Sequence, residues 1–414
     1  MGVTIGGMTN ELVLGGVLDE ARAMLPETIA LRRSLHRHPE VGLQLPGTQR
    51  TILDAIGDLG LQVRTGTSVT SVVAVLDGAR PGPTVLLRGD MDALPLEEDT
   101  GLDFASEVDG AMHACGHDTH VAMLAGAARL LAARRQNLAG RVVFMFQPGE
   151  EGYHGARYML EEGLLDHAAA GAAPVDAAFA LHVSTQYPAG TLNLRAGPML
   201  ASGDRLSITV NGRSGHASAP YRALDPVPVA CEIVQALQTM VTRRVNVFDP
   251  AVITIARIAA GTTHNIIPES AEMLGTMRTL SERNREDLRA QIVKVAEGIA
   301  AAHGATAEVE VEVGYPVTVN DAGAAELLGR VAAELVGEER VNFLADPIMG
   351  SEDFSYVLQR VPGALAFLGA CPPGADPETV PPNHSRHVVF DEDSLAVGVG
   401  VYAAAALRHL GRVA

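Results

Sequence analysis

The chain has 414 residues, 47% of them apolar, which is ample for two or three fully cored domains and excludes a disordered or fibrous polypeptide. Its 49 acidic residues against 31 basic ones give a formal net charge of -18, which argues against nucleic acid as a partner. The three cysteines, Cys115, Cys231 and Cys371, are odd in number and widely spaced, so a disulfide framework is not expected and a reducing, cytoplasmic compartment is.

Taken in order, residues 1–10 have no basic n-region and are followed by Glu11, Asp19 and Glu20, which is not the pattern of a signal peptide. No charge-free apolar run is long enough to span a membrane, and the Ala-rich piece 168–180 is short and interrupted by Pro174 and Asp176. Helices are predicted over 27–37, ending at His38-Pro39, and over 48–59, closing at Gly60. Strands are predicted over 71–76, 84–87, 142–146 and 177–181. The run Val142-Val143-Phe144-Met145-Phe146 is apolar on both faces, as in a strand covered by helices on each side of an open α/β sheet.

From about residue 201 the pattern changes to strand 206–210, helix 225–242, strands 252–258 and 271–278, helix 281–302 and strand 307–313. That β-α-β-β-α-β order is a compact split unit, expected as a domain of residues 201–314 inserted into an outer domain of residues 1–200 and 315–414. Strand 364–368 and the remaining helices complete the outer domain.

The densest chemistry lies in His113-Ala114-Cys115-Gly116-His117-Asp118-Thr119-His120. In extended backbone Cys115 and His117 project to the same side, as two ligands of one ion must. The Ala- and Leu-rich run after them predicts a helix capped by Asp118 or Thr119, whose N-terminus, together with a bound cation, favours the thiolate of Cys115, the form that ligates metal. Predicted strands lead into Arg88-Gly89-Asp90-Met91-Asp92, Gln147-Pro148-Gly149-Glu150-Glu151 and His182, and ligands gather beyond strand C-termini in such sheets. Adjacent residues in an extended segment point in opposite directions. Glu150 and Glu151 are therefore expected to divide the work, one ligating and one acting as a base toward water. Cys115, His117, Glu151, His182 and His384 make five candidate ligands, more than a single catalytic ion uses, which points to two. Asp90 and Asp92 are candidates for orienting an imidazole. In the inserted unit, Gly212-Arg213-Ser214-Gly215-His216-Ala217 and the loop from Gly261 to Pro268 present polar groups, and Arg278 suits a substrate carboxylate.

These stretches together resemble the M20 metallopeptidase and amidohydrolase family, in the branch of N-acyl-amino acid amidohydrolases that includes hippurate and auxin-conjugate hydrolases. The resemblance rests on Gly89 to Pro95, His113 to Asp118, Gln147 to Gly152, Ala180-Leu181-His182, Gly215-His216-Ala217, Asn265 to Pro268, Gly350 to Phe354 and Asn383-His384-Ser385, in the family's order. It implies a zinc-peptidase-like catalytic domain, an open mixed sheet flanked by helices, with an inserted α+β, ferredoxin-like lid and dimerisation domain. It further implies that Cys115, His117, Glu151, His182 and His384 bind two divalent ions (zinc, manganese, cobalt or nickel), with Cys115 bridging. Glu150 matches the general base, Asp92 its supporting aspartate, and His216 the lid histidine that helps bind substrate or polarise the scissile carbonyl. Asn265 and Arg278 fall at substrate-contacting positions, and a homodimer through the inserted domain is implied. Two positions depart from the pattern, Gly149 where alanine is usual and Arg386 where proline is common, and both are expected to line the mouth of the site. The expected reaction is hydrolysis of the amide of a small-molecule N-acyl-amino acid. The alternatives are a dipeptidase or aminopeptidase of the same superfamily, a metal-binding relative without catalysis, and a thiol hydrolase using Cys115 as nucleophile.

Overall fold

The computed structural model describes residues 14–166 and 173–411, so the first ten residues and the start of the Ala-rich piece lie outside the described residues. The chain divides into two compact units, Met1–Gly197 with Val319–Ala345 and Tyr356–Ala414, and Pro198–Thr318 with Asp346–Ser355. These boundaries differ from 201–314. Residues 346–355 join the second unit because Ile348 bridges Leu200 and accepts a hydrogen bond from Ala201, while Ser351 accepts one from Arg278 at 2.8 Å.

In the first unit eight strands form one mixed sheet in the order Gln62–Thr65, Val72–Asp77, Ala139–Gln147, Arg80–Asp90, Val175–Ser184, Gly363–Gly369, Leu192–Leu194, Val341–Phe343. The four strands Ala139–Gln147, Arg80–Asp90, Val175–Ser184 and Gly363–Gly369 run parallel, so their C-terminal ends lie along one edge. They are buried along most of their length, as the unbroken apolar runs require. Each extends beyond its apolar centre, because ladder hydrogen bonds continue into Asp90, Gln147 and Ser184. The short outer strands were not predicted: Gln62–Thr65 is exposed throughout and carries no hydrophobic alternation.

Helix His117–Ala133 is buried almost all round, against the sheet on one side and helices Leu25–Arg37, Pro46–Ile56 and Ser394–Leu410 on the other. Its small residues allow that close approach. Helix Pro46–Ile56 starts earlier than the predicted 48–59, with proline at its first position where no amide donor is needed, and ends before Gly57. Among the described residues no helix is long and apolar enough to cross a membrane.

The second unit is a four-stranded antiparallel sheet in the order Ala251–Ala260, Ser270–Thr279, Gly203–Asn211, Thr306–Tyr315. Helices Pro226–Arg244 and Glu282–Ala302 cover it, capped by Asp225 and Ser281, whose side chains accept from Val227 N and Asn284 N. Their apolar faces, including Ile233, Leu237, Leu288 and Ile292, close over Ile208, Val210 and Met273. A buried ion pair joins helix to sheet, Arg285 to Asp204 at 2.6 and 2.9 Å.

Candidate metal centre

The first unit brings the five predicted ligands together at the C-terminal edge of its parallel strands. Cys115, His117 and His182 place one ligand atom each within 4.8 Å of one another, and Cys115, Glu151 and His384 do the same. Cys115 is common to both sets. Its Sγ lies 3.4 Å from His182 Nε2 and 3.3 Å from His384 Nε2, and His384 Nε2 is 3.2 Å from Glu151 Oε1.

Local geometry explains each placement. Cys115 sits in a turn, and Gly116 follows with φ +86, where a Cβ would fall 2.4 Å from Val183 Cγ2. Only glycine fits both the left-handed backbone and that close approach. His117 is the first residue of its helix and has no side-chain cap from Asp118 or Thr119, contrary to expectation; Gly116 occupies the cap position. His117 Nδ1 donates to the carbonyl of Asp92 at 2.9 Å, which turns Nε2 toward the cluster. His182 lies inside strand Val175–Ser184 rather than after it, and its Nδ1 is 2.8 Å from the carbonyl of Val183. His384 is held in left-handed backbone, φ +69, by its amide donating to Ala114 O at 2.9 Å. Non-glycine residues in that region cost energy and cluster at functional sites. Asn383 ties the same loop down, donating to Cys115 O and Val183 O.

Glu150 and Glu151 lie in a turn, not in extended backbone, and both carboxylates reach within 4.8 Å of a His117 ring nitrogen and of each other. Opposite projection therefore does not separate them. Both oxygens of Asp92 hold the pair, accepting from Glu150 N at 2.9 Å and Glu151 N at 3.0 Å. Asp92 thus fixes His117 through its backbone and the glutamates through its side chain.

Asp90 reaches both a predicted ligand and a further imidazole, with its Oδ2 3.3 Å from His117 Nε2. Its Oδ1 is 2.5 Å from His120 Nδ1, its Oδ2 accepts from Arg88 at 2.8 Å, and His120 Nε2 accepts from Val183 N at 2.8 Å. This fully buried chain braces the strand end that carries His182. His120 was visible in the histidine-rich run and Arg88 as a charge at the end of an apolar strand, but their roles needed the fold.

The electrostatics favour a cation. Burial opposes charging His117, yet Asp90, Asp92 and Glu151 raise its pKa to about 10. Burial and then the carboxylates of Glu151, Glu150 and Asp90 push the Cys115 thiol well up, a shift that a bound cation would oppose. Burial holds His182 well below its ordinary value. For Asp90 burial is outweighed by Arg88, His117 and His120, and its carboxyl stays well below the usual range. His117 Nε2 and Glu151 Oε1 are buried without a hydrogen bond among the described residues. Mixed sulfur, nitrogen and oxygen donors, a surplus of negative potential and two orphaned donor atoms fit divalent metal ions.

The remaining predicted residues lie in the second unit. His216 and Asn265 are neighbours at a short two-stranded antiparallel ladder in which Ile266 pairs with His216 and Ala217 N donates to Asn265 O. His216 Nδ1 accepts from Ser218 N at 3.1 Å, which leaves its proton on Nε2. Arg278, half-buried, donates to Ser351 Oγ. Of the two departures, Gly149 has φ +67 and a Cβ there would fall 2.5 Å from Leu43 Cδ2, so the chain needs glycine. Arg386 points its guanidinium at Asp99, 3.4 Å away.

Residues 86–408 match the sequence profile of peptidase family M20/M25/M40. Thermostable carboxypeptidase 1 of Saccharolobus solfataricus is 38% identical over 92% of this chain and 94% of its own length. N-acetylcysteine deacetylase of Bacillus subtilis is 39% identical over 84% of this chain and 89% of its own. The crystal structure of the Bacillus subtilis YXEP protein, described as a dinuclear metal binding peptidase, superposes with a TM-score of 0.80 at 35% identity, covering 94% of this chain and 99% of that one.

Proposed function

The chain belongs to peptidase family M20/M25/M40, and we propose that it is a metal-dependent amidohydrolase that splits N-acyl-amino acids into a carboxylic acid and a free amino acid. The observation that carries this reading is the pair of donor sets sharing Cys115 with Glu150 buried beside them. Cys115, His117 and His182 would hold one divalent ion, and Cys115, Glu151 and His384 a second, with zinc, manganese, cobalt and nickel all suited to such donors. When bound, such ions polarise a carbonyl and make water a stronger acid.

The chain's own residues supply the proton transfers. Glu150 accepts a proton from the attacking water and delivers it to the leaving amine nitrogen, and Asp92 keeps its backbone fixed while it does so. His216 offers its Nε2 proton to the developing oxyanion, since Ser218 N occupies the other nitrogen. Arg278 and Asn265 take the substrate carboxylate, Arg278 by paired hydrogen bonds. Burial and anionic neighbours raise the Cys115 thiol, which speaks against a free thiolate nucleophile, whereas divalent ions at the two donor sets would deprotonate it to the thiolate that ligates.

The second unit would act as lid and dimerisation domain. Its edge strand Ala251–Ala260 pairs on one side only in its sheet and leaves Val252 and Ile258 exposed, which supports a homodimer through that strand. Three free cysteines suit a reducing cytoplasm.

The similarity to a carboxypeptidase favours a second reading. The C-terminal residue of a peptide presents the same acyl, amide and carboxylate groups as an N-acyl-amino acid, so one site geometry serves both. A panel of N-acetyl- and N-benzoyl-amino acids, dipeptides and N-blocked peptides, assayed for released amino acid, separates them. The amidohydrolase reading predicts turnover of the simple acyl substrates at least about tenfold above the peptides; preference for the peptides would move the assignment to a carboxypeptidase.

A further inference from the structure

Helix Leu25–Arg37 contributes no ligand, yet it sends a fully buried arginine under the metal-ligand turn. Arg32 Nε lies 2.7 Å from Asp118 Oδ2, and His36 Nδ1 lies 2.8 Å from the same oxygen. Arg32 Nη1 also donates to Glu392 at 3.0 Å, just before helix Ser394–Leu410. Phe104 closes over the Arg32 guanidinium at 4.7 Å. None of these groups belongs to the donor sets.

We propose that Arg32 is a positioning residue for the metal centre, acting through Asp118 to fix the orientation of the helical turn that presents Cys115 and His117. Asp118 and His117 are adjacent in that first turn, about 100° apart around the axis, so rotation that moves one carboxylate moves one ligand. The turn lacks a side-chain cap, and its acidic residue faces Arg32 and His36 instead of a free backbone amide. The inference rests on the assignment of Cys115 and His117 as ligands.

Removing Arg32 alone would strand a buried carboxylate and threaten folding. The test is therefore the full-length double variant Arg32→Gln with Asp118→Asn, stripped of metal and titrated with zinc in competition with a chromophoric chelator. We expect zinc affinity to fall by about 10- to 100-fold in protein that circular dichroism shows to be folded, as outer partners of metal ligands do. The control is Arg285→Gln with Asp204→Asn, which removes a comparable buried pair in the second unit and should lower thermal stability with wild-type zinc affinity. Zinc affinity within about twofold of wild type in the folded Arg32/Asp118 variant would overturn the role. If that variant does not fold, Arg32→Lys, which keeps the charge and loses the guanidinium fork, carries the same test with the same two outcomes. Wild-type protein that binds no zinc, or Cys115→Ala protein that binds it unchanged, would overturn the ligand assignment itself and this role with it.

Discussion

Replacing Glu150 with Gln is expected to lower turnover of an N-acyl-amino acid by about 100- to 10,000-fold, the usual worth of a positioned general base. The amide is nearly isosteric with the carboxylate and cannot accept the proton. Neither donor set that shares Cys115 includes Glu150, so the variant should retain its divalent metal, measured by elemental analysis after gel filtration. KM should change little, because the lost interaction is made with the reacting atoms. Turnover within about tenfold of wild type would remove Glu150 from the role of base. Loss of metal along with activity would reassign it as a ligand, which its place in a third donor group with His117 and Glu151 makes a real alternative.

The second large effect is expected at Cys115. Because its sulfur belongs to both donor sets, Cys115→Ala should weaken both metal sites at once, whereas His182→Ala should weaken one set and His384→Ala the other. We expect metal content after dialysis to fall from two ions per chain to fewer than about one in Cys115→Ala, with turnover at least about 100-fold down. The single-histidine variants should keep one tightly held ion. Gly116, packed closely against Val183 and Phe390, still holds the turn in the alanine variant, so the fold should survive. Equal metal loss in all three variants would argue against a shared sulfur.

The sequence made most of the site legible because its chemistry is local. Cys115 and His117 lie two residues apart, Glu150 and Glu151 are adjacent, and His182 closes an apolar run, so residue type and spacing point to them without a fold. What was hidden is what spans distance. Arg32 and Asp118 are far apart in sequence, and nothing in a helix carrying three arginines says that one of them is buried against a carboxylate. His120 was visible as an imidazole, but its hydrogen bonds to Asp90 and Val183 join three elements.

The inferences that failed did so for identifiable reasons. Opposite projection of Glu150 and Glu151 assumed extended backbone, and Pro148-Gly149 instead begin a turn. Residues 346–355 were assigned to the outer domain by chain order, though their hydrogen bonds run to Met199, Ala201 and Arg278. In the fold, apolar periodicity located the buried strands well and the polar edge strand Gln62–Thr65 not at all.

The most direct measurement is release of free amino acid from N-acetyl-amino acids by chelator-stripped protein, before and after divalent metal is returned. We expect no detectable release from the stripped protein and recovery that saturates at about two equivalents of metal per chain. Hydrolysis that continues undiminished in the stripped protein, or a covalent acyl group trapped on Cys115, would contradict a metal-dependent amidohydrolase.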